Sequence, residues 1–447
     1  MSAVLQRDSV TAIRGPVLTF TGDPSVEDSA RSMRYESDAI VAMRGGLIVD
    51  FGAAADVLPR LPPGTKVTAY AESLIMAGFI DAHVHYPQTA IVASPAEHLM
   101  DWLDRHTYVA EQRFSDRDHA REAARVFMRE CLRAGTTTAA VFCSVHPESV
   151  DAFFEEALSR NMRMIAGKVL MDRNAPEMLT DTPRRGYDES KALIARWHGR
   201  GRLSYAVSPR FAVTSSPEQM DLAGSLWREH DGTFLQSHVA ENRREVDRVR
   251  ALFPERRGYL DVYDHYGMLG SRAIYGHGIW LDEDELARCH ASGTALAHCP
   301  TSNMFLGSGL FDLANARKVR RPVRVALATD IGGGTHFSML STMHDAYKVA
   351  RLGGRSLSAA HAFYLATRGA AHALYLEDRI GSIATGMEAD VIVLDLKSTP
   401  LIEHRMRHCE DIDEALFVQM ILGDERAIRA VYIAGDIGWT RGTAVNA

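Results

Sequence analysis

Two histidines that lie two residues apart, His83 and His85, form the strongest chemical pattern in the sequence, within FIDAHVH. Side chains at positions i and i+2 of a strand point to the same face, so the two imidazoles are predicted to converge on one point. Imidazole nitrogen is a preferred ligand of zinc and related metals. A lone His-x-His also occurs as a pair of structural histidines, so this motif alone leaves both interpretations open.

Three further polar residues end later β-rich segments in the same way. His238 ends QSHV, His277 lies near the end of YGHGIW, and Asp330 ends LATD. Structural histidines have no reason to share one edge of a sheet, whereas a metal site assembled from several strand ends requires it. Together with His83 and His85, these residues predict a catalytic zinc centre, although nitrogen and oxygen ligands also suit iron.

Glu241 lies three residues after His238, just beyond the predicted strand end. A carboxylate at this position can reach both an activated water and a substrate nitrogen, which a proton shuttle must do. The alternative is an exposed loop glutamate, and the spacing does not separate the two. The His-x-Glu and Pro-Cys-x-x-Cys pattern of cytidine-deaminase zinc sites is absent, which excludes that architecture.

The elements that must position these residues alternate between β-rich segments and segments with apolar residues at helical spacing. Eight β-rich segments lie between about Leu74 and about Leu376: LIMAGFIDAHVH, GTTTAAVF, RMIAGKVLMD, SYAVSPRF, TFLQSHVAEN, AIYGHGIW, GTALAHCP and RVALATDIGG. This alternation predicts parallel strands with crossover helices, and eight units favour a closed (β/α)₈ TIM-like barrel over an open sheet. Such barrels hold their active sites at the carboxyl ends of the strands, where the histidines and Asp330 fall.

Both ends of the chain have β character outside the barrel. AIVAMRGGLIVDFG places Gly45 and Gly46 between two apolar runs and predicts a hairpin, and GSIATGMEADVIVLDL and RAIRAVYIAG are also β-like. We predict an α/β protein in which residues 74–380 form the metal-dependent barrel. Residues 1–73 and 381–447 are predicted to pair into one small β-sandwich domain beside it.

Bulk properties limit the partners. The 447 residues are 46% hydrophobic and 24% charged, as in ordinary globular proteins. A net charge of −7 without a basic block argues against nucleic-acid binding, and no apolar run of about 18 residues predicts a membrane span. The N-terminus MSAVLQRDSV lacks secretory-signal features, which predicts a cytoplasmic protein. The five cysteines are scattered without a Cys-x-x-Cys pair, so histidine and carboxylate ligands are expected for the metal.

The motifs FIDAHVHYPQ, SPRF, QSHVAEN, YGHGIWL, HCPTSN and ATDIGGG resemble the aminohydrolase branch of the amidohydrolase superfamily, over nearly the whole chain. The combination of HVHYPQ, GKVLMD and SPRF resembles, more narrowly, the family that deaminates guanine. This resemblance implies hydrolysis of guanine to xanthine and ammonia. The nearest alternative is the same chemistry on another purine, a pterin, a triazine or a pyrimidine. A non-catalytic scaffold is disfavoured, because no ligand of the family pattern is missing.

The resemblance also implies a role for each residue of the site. It implies one zinc ion per chain, bound by His83, His85, His238 and Asp330. It further implies that Glu241 is the proton shuttle and that His277, with Asp330, assists the attacking water. The expected partners are a small purine substrate and a second copy of the chain in a homodimer.

Four residues after the first and fourth strands are predicted to contact the purine. Arg210 and Gln88 offer a guanidinium and an amide, which match the acceptors O6 and N7 and the polar edge of guanine. Phe211 and Trp102 offer aromatic faces to the flat ring. The alternative for Arg210 is an ion pair with a carboxylate at the barrel rim. The remaining predicted substrate contacts come from the metal centre: His85, His238, Glu241 and Asp330.

Overall fold

The computed structural model describes residues 9–27, 29–95 and 99–442. The strands are, in chain order, β1 (Thr11–Phe20), β2 (Met33–Arg44), β3 (Leu47–Ala53), β4 (Lys66–Ala69), β5 (Ser73–Ala77), β6 (Phe79–His85), β7 (Thr136–Phe142), β8 (Arg163–Gly167), β9 (Val169–Leu170), β10 (Ser204–Pro209), β11 (Phe234–Val239), β12 (Ala273–His277), β13 (Ala295–His298), β14 (Arg324–Leu327), β15 (Val391–Asp395), β16 (Ile428–Ile433) and β17 (Asp436–Thr440).

The α-helices are, in chain order, α1 (Ser29–Ser32), α2 (Ala54–Val57), α3 (Leu99–Trp102), α4 (Tyr108–Glu111), α5 (Arg117–Arg133), α6 (Pro147–Ser159), α7 (Pro183–Trp197), α8 (Pro217–Glu229), α9 (Arg243–Leu252), α10 (Tyr259–His265), α11 (Glu283–Ser292), α12 (Pro300–Phe305), α13 (Leu313–Ala316), α14 (Met339–Leu352), α15 (Ala359–Leu365), α16 (Arg368–Ala373), α17 (Pro400–Met406) and α18 (Ile412–Leu422). Within the described ranges, no helix is long and apolar enough to cross a membrane.

Eight parallel strands form the barrel: β6, β7, β8 with its extension β9, β10, β11, β12, β13 and β14. Neighbours around the barrel are also neighbours in the chain, and each of the eight predicted β-rich segments contributes one strand. The predicted (β/α)₈ fold is therefore confirmed. Several crossover helices begin at a capping side chain, as α5 does at Asp116 and α8 at Ser216, which satisfies backbone N–H groups at the helix start.

Small side chains fill much of the barrel interior. Seven alanines from five of the strands or their ends pack there with Ile80, Ile165, Phe234 and Ile274. Residues of α16 and the chain that follows it, including Leu374 and Ile380, belong to the same buried cluster. The larger apolar residues form a second, more extensive core, which includes residues from the strands and from the surrounding helices.

A second sheet contains strands from both chain ends, in the order β17-β16-β15-β5-β1-β2-β3, with β4 also paired to β1. The predicted pairing of the two ends is thus confirmed, and these strands are hydrogen-bonded as one continuous sheet. The predicted hairpin is β2–β3, which turns at Gly45 and Gly46, where φ is +60° and +87°. Such left-handed backbone favours glycine.

Two boundaries differ from the expectation. The first predicted β-rich segment contains two strands, because Ser73–Ala77 pairs antiparallel with β15 in the second sheet and the barrel begins only at Phe79. Both strands are fully buried, so the sequence does not reveal the change of sheet between them. Residues 381–447 also contain α17 and α18, and α18 packs on α14 and α15 of the barrel.

The barrel closes between β6 and β14 through side chains and loop backbone. The Asp81 carboxylate accepts hydrogen bonds from the Thr329 N–H, at 3.0 Å, and from the Thr329 hydroxyl. One residue further on, the Asp330 N–H donates to the His83 carbonyl oxygen at 3.0 Å. Burial raises the pKa of Asp81 to about 7. These contacts place two predicted metal ligands side by side.

Buried ion pairs join the barrel to the second sheet. Arg202 Nε donates to Glu388 at 2.9 Å, and its Nη1 donates to Asp390 at 3.0 Å. Asp390 also accepts the Ala434 N–H at 2.8 Å, while Arg163 binds Glu388 from the barrel. Burial alone would raise the pKa of Glu388, but the two guanidinium groups hold it below its ordinary value of 4.5.

We predict that Arg202→Ala lowers the free energy of unfolding by about 3–5 kcal/mol, because it leaves the Asp390 carboxylate buried without its guanidinium partner and Glu388 with Arg163 alone. Urea unfolding at pH 7 measures this, with Arg14→Ala, in an exposed ion pair with Asp38, as the control expected to change little. Since the folded-state pKa of Glu388 is depressed, its stabilising effect is complete above pH 4.5 and is lost as the pH falls further. An equal effect of the two variants would contradict this account.

Candidate active site

The carboxyl ends of the barrel strands bring the predicted metal ligands together. His85 Nε2 lies 3.1 Å from His238 Nε2 and 3.5 Å from Asp330 Oδ1. His83 Nε2 lies 3.4 Å from the same Asp330 oxygen, and His277 Nε2 lies 3.7 Å from Asp330 Oδ2. All five side chains are buried. The structure therefore gathers every predicted ligand of the sequence analysis into one cluster.

These separations match those expected around one metal ion. Tetrahedral ligands at 2.0–2.1 Å from zinc lie about 3.3 Å from one another. Among the described residues, neither His83 Nε2 nor His277 Nε2 finds a hydrogen-bond partner, although both atoms are buried. Buried imidazole nitrogens without partners are costly unless they bind an ion or a ligand. The donor set thus fits a divalent metal ion.

Contacts on the far side of two imidazoles direct the other ring nitrogen into the cluster. The Arg210 carbonyl oxygen lies 2.7 Å from His238 Nδ1, and Asn303 Oδ1 lies 2.8 Å from His277 Nδ1. A carbonyl oxygen accepts only, so Nδ1 carries the proton in both rings and Nε2 offers a lone pair or a second site. Both tautomers suit metal and water binding.

The backbone is strained where the site is built. His277 has φ +70° and Asp330 has φ +51°, values that residues with side chains adopt rarely. This conformation turns the chain sharply after β12 and β14, at the edge where the other ligands lie. Strain of this kind costs roughly 1–3 kcal/mol per residue and clusters at functional sites.

Burial and mutual proximity set the protonation states of the cluster. Burial, with the neighbouring imidazoles, lowers the pKa of His85 and His238 well below the ordinary histidine value. Burial alone would also lower the pKa of His277, but the carboxylates of Glu241 and Asp330 raise it. Burial alone would raise the pKa of Asp330, but the His83 imidazole holds it below its ordinary value. These shifts favour neutral nitrogens on His85 and His238 and an anionic oxygen on Asp330, whereas they favour the protonated form of His277.

Glu241 is buried beside this cluster, so the exposed-loop interpretation does not hold. Its Oε2 lies 3.5 Å from His277 Nε2, and its Oε1 accepts a hydrogen bond from the Ser308 hydroxyl at 2.8 Å. Its backbone N–H donates to Glu245 at 3.0 Å, and Tyr259 donates to the other oxygen of Glu245. Burial raises the pKa of Glu241, which makes this carboxylate a stronger proton acceptor than an exposed glutamate.

A pocket of about 390 Å³ opens onto the cluster. Its lining includes all eight residues predicted to contact substrate: His85, Gln88, Trp102, Arg210, Phe211, His238, Glu241 and Asp330. Sequence reasoning missed the apolar wall, which Leu99, Leu103 and Leu306 form, and Gly333. Leu99 and Leu103 lie four residues apart in the sequence, with Trp102 between them. This helical spacing was the only sequence signal that pointed to the two leucines.

Cys299 also lies near the ligand cluster, with its sulfur within 4.8 Å of ligand atoms of His83, His277 and Asp330. Its thiol donates to the Ala297 carbonyl oxygen at 3.4 Å. Burial raises the pKa of this thiol well above its ordinary value. This shift disfavours the thiolate, which is the form in which a cysteine binds a metal.

The sequence profile of the amidohydrolase family matches residues 74–438. The chain belongs to the amidohydrolase family and is a hydrolytic, metal-dependent type of enzyme. It is 44% identical to guanine deaminase from Escherichia coli (strain K12), over 97% of this chain and 98% of that protein.

Two solved structures are also similar to this chain. The structure of E. coli guanine deaminase superposes with a TM-score of 0.94, covering 96% of this chain and 100% of the other. Guanine deaminase from Bradyrhizobium japonicum, at 35% identity, superposes with a TM-score of 0.93 and covers 97% of this chain and 100% of the other. The resemblance deduced from the motifs is therefore confirmed at the level of the family.

We predict that His238→Ala loses the bound metal while the barrel stays folded, because the barrel core consists of apolar side chains that do not contact the ion. Metal content by mass spectrometry and far-UV circular dichroism measure the two effects. His230→Ala, on the loop after α8, serves as the matched control and should retain the metal. A His238→Ala protein with one metal ion per chain would show that this residue is not a ligand.

Proposed function

We propose that this enzyme deaminates guanine hydrolytically, giving xanthine and ammonia. The observation that carries the proposal is the pocket itself, in which the guanidinium of Arg210 and the amide of Gln88 share one cavity with the metal-ligand cluster and Glu241. Such a cavity holds a flat polar heterocycle between recognition groups and reacting groups. The similarity to guanine deaminases over nearly the full length supports the same substrate.

The proposed metal is one zinc ion per chain, with iron as the alternative. Four residues would hold it: His83, His85, His238 and Asp330. When bound, the ion supplies Lewis acidity that lowers the pKa of a water molecule from 15.7 to about 7.

The side chains around the ion then perform the proton transfers. Asp330 and His277 orient the attacking water and accept its proton, since their polar atoms face each other across 3.7 Å. Glu241 delivers a proton to N3 of the purine while the C2–O bond forms. The C2–N bond then breaks, and the amine leaves as ammonia with the proton that Asp330 and His277 took from water. The proton of the C2 hydroxyl returns to Glu241 as the C2 carbonyl forms.

Further proposals follow from the resemblance rather than from the geometry. We propose a homodimer and a cytoplasmic role in purine breakdown. The competing hypothesis is the same metal chemistry on another purine, a pterin, a triazine or a pyrimidine. A panel of amino-substituted heterocycles, guanine among them, assayed for ammonia release would separate the two hypotheses.

We expect Glu241→Gln to reduce kcat for guanine by at least 10²-fold, because an amide cannot shuttle a proton. Steady-state ammonia release measures kcat, and metal analysis should give the wild-type content. The control is Glu72→Gln, at an exposed ion pair with Lys397, which should keep wild-type turnover. If the Glu241 variant kept most of its kcat with normal metal, Glu241 would not be the shuttle.

Arg210→Ala should lower kcat/KM for guanine by about 10²-fold or more while the metal stays bound, because a pocket built to hydrogen-bond a group loses that binding outright. Adenine carries an amine in place of O6 and should be a poor substrate of the wild type. Parallel assays on both purines test this. Comparable rates on adenine and guanine would overturn the guanine assignment and leave the metal-dependent aminohydrolase intact.

A further inference from the structure

Glu111 is a buried carboxylate beside the pocket that has no part in the proposed chemistry. It ends α4, and its side chain is 0% exposed. The Ser144 hydroxyl, just beyond β7, donates to the Glu111 carbonyl oxygen at 3.0 Å, which fixes the backbone at this point. A buried carboxylate is stable only with close partners, so its contacts reveal its role.

Both partners of Glu111 are the proposed recognition groups. Arg210 Nη1 donates to Glu111 Oε1 at 3.0 Å and to Oε2 at 2.8 Å. Gln88 Nε2 donates to Glu111 Oε1 at 2.9 Å. The carboxylate thus joins the segment after β6 to the segment after β10. Burial alone would lower the pKa of Arg210, but Glu111 raises it and keeps the guanidinium charged.

The contact fixes which way the Gln88 amide faces. An ionised carboxylate accepts hydrogen bonds only, so the NH₂ group of Gln88 must face Glu111 and the carbonyl Oε1 must face away from it. Oε1 then packs closely against Gly332. A Cβ atom added to this glycine would lie only 2.0 Å from Oε1. Gln88, which lines the pocket, therefore holds an acceptor beside Gly332.

The same contact leaves Arg210 with donors. Within the described ranges, the side-chain hydrogen bonds of Arg210 all run from Nη1 to Glu111. Its Nε and Nη2 groups keep their N–H donors, and the residue lines the pocket. The pocket edge thus combines donors from Arg210 with one acceptor from Gln88.

We propose that Glu111 is the positioning residue that sets substrate specificity, by fixing this donor and acceptor pattern. The inference rests on the proposed function. A lactam edge, with a ring N–H beside a carbonyl, complements the pattern, and guanine carries one at N1 and C6. Adenine presents the reverse edge, an amine beside a bare ring nitrogen, which sets donor against donor and acceptor against acceptor. Glu111 acts through Gln88 and Arg210 and does not touch the substrate.

The test is a double-mutant cycle with Glu111→Gln, which keeps the shape but lets the Gln88 amide rotate. We expect kcat/KM for guanine to fall at least tenfold, mainly through KM, with unchanged metal content. In a background that lacks both partners, Gln88→Ala with Arg210→Ala, the same substitution should change kcat/KM less than about twofold. Equal losses in the two backgrounds would reduce Glu111 to a structural ion pair and overturn the proposal.

Inhibitor binding gives a second measurement, independent of turnover. Hypoxanthine carries the lactam edge, whereas unsubstituted purine lacks it. The inhibition constant of hypoxanthine should rise at least tenfold in Glu111→Gln, and that of purine should change less than twofold. Equal changes for both compounds would contradict the proposal.

Two further comparisons keep the outcome interpretable. If Glu111→Gln does not fold, Glu111→Asp is the substitute variant. Aspartate keeps the charge but withdraws the carboxylate by one methylene from Gln88 and Arg210. The inhibition constant of hypoxanthine should still rise in this variant. Glu72→Gln is again the exposed control. A wild type that releases no ammonia from guanine would refute the proposed function, whereas an active wild type with an unaltered Glu111→Gln variant would refute only the role of Glu111.

Discussion

Closure of the barrel at the junction of β6 and β14 is the constraint on which the site depends. The two strands meet through the Asp81 carboxylate and Thr329, and this contact brings the backbone of His83 against that of Asp330. These two residues come from opposite ends of the barrel sequence, about 250 residues apart. Since a coordination sphere tolerates errors of only a few tenths of an ångström, the metal centre requires that this junction be formed.

The electrostatics of the site follow from that convergence. Four imidazoles and two carboxylates lie buried within a few ångströms of one another, so each raises or lowers the pKa of its neighbours. Burial keeps His85 and His238 neutral, as metal ligands must be, while burial raises the pKa of Glu241. One compact arrangement therefore provides both a basic ligand set and a carboxyl group that can carry a proton.

The barrel and the ligand cluster could be predicted because local sequence patterns indicate both of them. The alternation of segments identifies the strands, and residues at the carboxyl ends of parallel barrel strands lie at the same edge. These two signals were enough to predict that His277 and Asp330 lie in the cluster. Glu111 and Ser308 carry no such signal, because their roles arise from contacts across the fold, with partners 99 and 67 residues away. The change of sheet before Phe79 was equally hidden, since both strands are buried and follow each other almost directly.

The shared hydrogen bonding of Glu111, Gln88 and Arg210 also constrains how the enzyme can evolve. Replacing Arg210 alone leaves a buried anion, and replacing Glu111 alone leaves a buried cation, so either single step sacrifices stability before any new substrate is gained. A lineage that moves to a heterocycle with the reverse edge must therefore change at least two of these positions together. Among homologues, the identities at positions 111 and 210 should be inherited as a pair.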